Sequence, residues 1–114
     1  MKIYVCMKHV PDTAANIRPL GGVEFDESVK FIVNPYDEYA IEQALLIREA
    51  GPGAEIVAVA VGKAAAASTL RTALALGGDR GILVETDAYF TEPAETTRLL
   101  HRAISLDGAP DLIL

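Results

Sequence analysis

Residues 33–62 read VNPYDEYAIEQALLIREAGPGAEIVAVAVG, and this one stretch sets the fold class. Asn34 is a favoured N-cap residue and Pro35 suits the first helical position. Asp37 and Glu38 complement the positive end of a helix macrodipole. Ala40, Ile41, Ala44, Leu45 and Ile47 then recur at helical spacing, so one helical face is buried. Gly51-Pro52-Gly53 stops the helix. Glu55 to Val61 follows as an apolar run with β-branched residues on both faces, which suits a parallel strand covered by helices on each side.

Upstream, Ile3 to Met7 reads as a first buried strand. Val10 to Val23 holds Pro11, Asp12, Asn16, Pro19, Gly21 and Gly22, so it reads as loop with room for a short irregular strand at most. Lys30 to Val33 is a brief extended segment. Downstream, Ala64 to Leu76 is an Ala-rich helix stopped at Gly77, and Gly81 to Val84 is a third strand. Thr91 as N-cap and Pro93 open a last helix that buries Leu99, Leu100, Ala103 and Ile104. Gly108 and Pro110 end it, and Asp111 to Leu114 begins a fourth strand. The order β-loop-α-β-α-β-α-β demands right-handed crossovers, so the expected class is α/β: a parallel, Rossmann-like sheet in a three-layer αβα domain.

A chain of 114 residues is one domain by length, able to fold without disulfides or metal. The apolar fraction of 51% with only 6% aromatic implies a core of Ala, Val, Leu and Ile. A net charge of −6 without any basic stripe argues against a nucleic-acid partner. The apolar run at Ile3 is too short for a signal-peptide core or a membrane span, so a cytoplasmic location is expected. The single cysteine excludes an internal disulfide and a cysteine metal cluster. Because Leu112 to Leu114 stop inside an apolar strand, the residues are expected to be the N-terminal part of a longer polypeptide.

No Walker loop, G-x-G-x-x-G, nucleophile-elbow serine or H-E-x-x-H occurs, so neither a catalytic constellation nor a metal site is expected. Four places could meet a ligand instead: Cys6 to His9, Asn34 to Asp37, Val61-Gly62-Lys63, and Gly77 to Gly81. The helix start at Asn34 has free N–H groups for an anion or ring nitrogen, and Gly62 permits close backbone approach. A carboxylate at Asp37 repels phosphate and would rather accept from a ribose hydroxyl or an amine. Lys8 reads equally as a surface charge or a phosphate contact. His9 either faces a ligand or is a solvated loop histidine, and His101 belongs on the surface. Cys6 reads as a small buried residue rather than a redox thiol, since no cation in its strand would lower its pKa.

Three stretches, MKIYVCMKHVPD (1–12), VNPYDEYAIEQAL (33–45) and LRTALALGGDRGI (70–82), together resemble the β subunit of electron transfer flavoproteins. The resemblance runs the length of the chain in the same order. It implies a universal-stress-protein-like adenine-nucleotide-binding fold and a heterodimer with a larger α subunit that holds most of a redox FAD. Electrons would pass from acyl-CoA or other dehydrogenases to an acceptor, with no bond chemistry in the β subunit. That subunit would bind AMP, or a second FAD in bifurcating members. By position the resemblance puts Cys6, Asn34, Pro35, Tyr36, Asp37 and Val61 in the nucleotide pocket, with Lys8, His9 and Gly62 as adjoining candidates. His9 stands where arginine is common and Asp37 where some members carry cysteine, which leaves AMP and FAD both open. The family's main phosphate-gripping loop follows the fourth strand and lies outside these residues. The rival readings are a stand-alone nucleotide-binding module of the universal stress type and a structural scaffold with an empty pocket.

Overall fold

The structure, a computed structural model, describes residues 1–114. Four parallel strands form the central sheet: β1 (Lys2–Met7), β6 (Glu55–Gly62), β7 (Arg80–Glu85) and β8 (Leu112–Ile113), in the spatial order β7-β6-β1-β8. By sequence rank this is 3-2-1-4, so the strand order reverses between β1 and β8. In an open α/β sheet that reversal opens a crevice at the carboxyl ends of the strands.

The pleat sorts the core onto two faces. Ile3, Val5 and Met7 of β1 and Ile56, Ala58 and Ala60 of β6 meet helix α1 (Pro35–Ala50) through Ile41 and Ala44, and helix α2 (Ala67–Leu76) through Leu70 and Ala73. Alanine on both sides of this contact lets the helix backbones approach the sheet closely. The opposite face, with Tyr4, Val57 and Val59, packs against Ile104 of helix α3 (Pro93–Asp107). The three expected layers are present.

The excursion between β1 and α1 is more structured than a loop. Two short antiparallel pairs form, β2 (His9–Pro11) with β5 (Phe31–Val33), and β3 (Pro19–Gly21) with β4 (Glu24–Phe25). These strands build a projecting arm, and the molecule measures 50 × 28 × 18 Å. The extended segment expected at Lys30 to Val33 is present as β5, whereas the β3–β4 hairpin was hidden because no residue from 12 to 30 is buried and no alternating pattern is imposed.

Two helix starts differ in detail from expectation. Asn34 occupies the N-cap position of α1 but makes no side-chain cap bond; its Nδ2 donates to Asp37 Oδ1 at 3.2 Å. The cap of α3 is Glu92 rather than Thr91, whose hydroxyl instead pairs with that of Thr96 at 2.7 Å. The segment Gly77 to Gly81 runs from the end of α2 into the start of β7, at the amino ends of the strands and away from the crevice. There Asp79 caps the sheet, accepting the Ile56 N–H at 2.7 Å.

Candidate functional site

Lys8 leaves the tip of β1, and three of its atoms gather the surrounding elements. Its backbone N–H donates to Asp37 Oδ2 at 2.6 Å, its carbonyl accepts the Asn34 N–H at 2.9 Å, and its Nζ donates to the Val61 carbonyl at 3.2 Å. One residue thus ties the end of β1 to the start of α1 and to the end of β6. Pro35 makes this junction sharp, because its fixed φ starts the helix immediately after β5.

Cys6 and Asp37 complete the cluster. Cys6 is half-buried, and its backbone N–H donates to the Leu114 carbonyl at 2.8 Å across the point where the strand order reverses. Burial raises its thiol pKa, and the nearby Asp37 carboxylate raises it further. A thiol so placed is protonated and serves as a small apolar wall. Burial likewise pushes the Asp37 carboxyl above its usual range, opposed by the hydrogen bonds from Lys8 N–H and Asn34 Nδ2. Each Asp37 oxygen keeps a lone pair free to accept from a hydroxyl. Lys8 Nζ likewise has further protons to donate.

The sequence candidates therefore divide. Cys6, Lys8, Asn34, Asp37 and Val61 converge at the strand tips. Pro35 and Tyr36 sit on the outer side of the same first turn, with Tyr36 80% exposed. Val61 is buried and contributes its carbonyl, not its side chain. His9 and Gly62 turn toward a neighbouring hollow instead. His9 is no solvated histidine: its Nδ1 lies 2.9 Å from Thr69 Oγ1 and its ring stacks on Phe31 at 4.6 Å. Burial, with a smaller contribution from Lys8, lowers its pKa and favours the neutral ring. His101 is exposed.

That hollow has a volume of about 550 Å³ and lies between the arm, the end of β6 and the start of α3. Lys8 borders it, so it adjoins the cluster. Phe25, Phe31, Tyr89 and Phe90 line it, four of the chain's seven aromatic residues. Lys63 stands at its rim, 2.7 Å from Glu27 and 3.6 Å above the Tyr89 ring centroid. Sequence reasoning missed this wall, although Tyr89-Phe90 in a loop of an aromatic-poor chain was a visible signal. Another hollow of about 560 Å³ lies within the arm among Asp12, Arg18, Asp26 and Lys30, remote from the strand tips. No group of three or more His, Cys, Asp or Glu side chains converges as a metal site. No helix is long and apolar enough to cross a membrane.

Comparison with known proteins gives a consistent picture. The family model described as the electron transfer flavoprotein domain matches residues 23–114. The electron transfer flavoprotein subunit beta of Syntrophomonas wolfei is 44% identical over 115 residues, covering all of this chain and 44% of the relative. The mitochondrial subunit beta of Arabidopsis thaliana is 48% identical over 116 residues, covering 99% of the chain and 45% of the relative. Protein FixA of Azorhizobium caulinodans is 37% identical over 120 residues, covering 99% of the chain and 42% of the relative. The chain spans less than half the length of these curated relatives.

Proposed function

The chain belongs to the electron transfer flavoprotein domain family, and from that premise we propose that it is the nucleotide-holding part of a β subunit in a cytoplasmic electron carrier. In this reading a larger α subunit is the partner and holds the redox FAD, while acyl-CoA or other dehydrogenases supply the electrons. The β chain performs no bond chemistry; it contributes binding, geometry and local electrostatics to a cofactor that carries the electrons.

The observation that carries the reading is the threefold attachment of Lys8, which joins Asn34, Asp37 and Val61 at the carboxyl ends of β1 and β6, two residues beyond Cys6. The donor set suits an adenine nucleotide. Asp37 accepts from a ribose hydroxyl, Lys8 offers a cation to a phosphate, and the half-buried Cys6 gives an apolar surface to a ring. These residues fit the adenylate common to AMP and FAD. Tyr36 and Pro35 would present the outer side of the turn to the partner or its flavin.

Two measurements test this. The complete heterodimer shows a flavin absorption spectrum, whereas these residues purified alone are colourless and bind AMP in a calorimetric titration. Lys8→Met weakens that AMP binding about tenfold, the loss expected for one charge-assisted contact. Stoichiometric FAD on the isolated chain, or AMP affinity indifferent to Lys8, overturns the assignment.

A further inference from the structure

The arm is held to the body by very little. Residues 12–30 contain no buried side chain, and their backbone continues from a three-residue ladder between β2 and β5. Beyond that ladder the arm reaches the body through Glu27, bound to Lys63 at 2.7 Å, and through Phe25, which meets Tyr89 edge-on at 6.1 Å and Phe90 at 6.2 Å. Lys63 is the common element. It follows β6 directly, its Nζ bonds the arm on one side, and it sits 3.6 Å over the Tyr89 ring from the β7–α3 loop on the other. Two segments distant in sequence therefore converge on one ammonium group carried by a third. Directly beneath them lies the aromatic hollow, whose walls the arm and the β7–α3 loop share.

We propose that Lys63 is the latch of a strap: it holds the arm against the β7–α3 loop, and its release from Glu27 swings the arm away and widens the aromatic hollow. An ion pair in which both side chains are about one-third exposed suits such a device, because it is weak enough to break and is weakened by salt. The cation–π contact gives the released Lys63 a second resting place on Tyr89, so opening does not strand the charge. A segment with few buried contacts belongs to the low-stability end of a fold, where opening occurs without unfolding of the sheet.

Hydrogen exchange of the 114-residue chain, read by mass spectrometry, tests the motion, and hydroxyl-radical labelling of Phe25 and Phe31 tests the access. In Lys63→Met, amides of the arm exchange about tenfold faster while peptides from β6 and α2 stay unchanged, as loss of a partly exposed ion pair and its cation–π contact requires. Labelling of both phenylalanines rises in the same variant. Glu27→Gln removes the ion pair and leaves the Tyr89 contact, so it raises both readouts by a smaller factor, about threefold, and carries the test should Lys63→Met fail to fold. Lys63→Arg keeps the slow exchange. Unchanged arm exchange in Glu27→Gln overturns the latch, as does equal acceleration of arm and sheet. Faster arm exchange with unchanged phenylalanine labelling overturns its control of the hollow.

Discussion

At the residue scale, Lys8 is the side chain that ties the candidate site together, and Asp37 is the carboxylate of that site whose pKa folding shifts. Asp37 is pulled two ways: burial raises its pKa, and hydrogen bonds from Lys8 N–H and Asn34 Nδ2 lower it, with burial prevailing. A carboxyl whose folded pKa lies above its unfolded value favours the folded state most when protonated. Its contribution is therefore complete below the ordinary value of 3.8 and is lost as pH rises through the folded pKa. Asp37→Asn removes this dependence. Urea denaturation of both proteins across the acid range should show the wild type losing ground relative to the variant as pH rises. A constant difference between them contradicts the assignment. An adenylate donating a ribose hydroxyl to Asp37 stabilises the ionised form, so AMP should reduce the same slope.

Among the elements, helix α2 shows how a stop signal acquires tertiary meaning. Gly77 ends the helix with φ +125°, and a Cβ there would lie 2.9 Å from Leu45 Cδ2 of α1. Both the backbone and the neighbouring helix therefore demand glycine. Gly77→Ala should cost about 1–3 kcal/mol, through a conformation that L-residues rarely adopt. A thermal melt within a degree of wild type would show that α1 and the turn relax freely. The stretch 70–82 thus acts through packing and sheet capping at the amino ends of the strands, away from the candidate site. The sequence did not reveal that location, because a glycine-rich turn looks the same at either end of a strand.

Across the whole molecule, the two ends of the sheet divide their tasks. The carboxyl ends gather the candidate site, and the amino ends carry a charge network. Arg80 donates to both Asp107 oxygens at 2.9 and 2.8 Å and to Glu55 at 2.6 Å, and the Tyr4 hydroxyl donates to Asp107 at 2.7 Å. The Arg80 guanidinium, followed by the Tyr4 hydroxyl, holds the Asp107 carboxyl well below the usual carboxylate range. Here the sign is opposite to that of Asp37: the contribution is present above the unfolded pKa and is lost as pH falls through the folded one. Arg80→Met should raise the midpoint of acid unfolding by roughly half a pH unit, with the gap from wild type closing as Asp107 protonates. An unmoved midpoint would mean that solvent already screens the pair. Strands β7 and β8 are the two edges of the sheet, so this chain alone leaves unpaired backbone on both sides.

What the sequence determined by itself was local and periodic. The strands at Ile3 and Glu55, the helix opened by Asn34-Pro35, and its stop at Gly51 were legible because neighbouring residues impose them. Five of the candidate residues, Cys6, Lys8, Asn34, Asp37 and Val61, could be named from strand ends and helix starts alone. Their convergence was decided by tertiary structure, since it depends on β6 pairing beside β1 and on the long side chain of Lys8 crossing between them. The same holds for the arm and the aromatic hollow. The exposed β3–β4 hairpin leaves no alternation to read, and Tyr89 meets Phe25 only after the chain has passed through α1, β6, α2 and β7. Periodicity reports which face of an element is buried; it carries no information about which distant element will bury it.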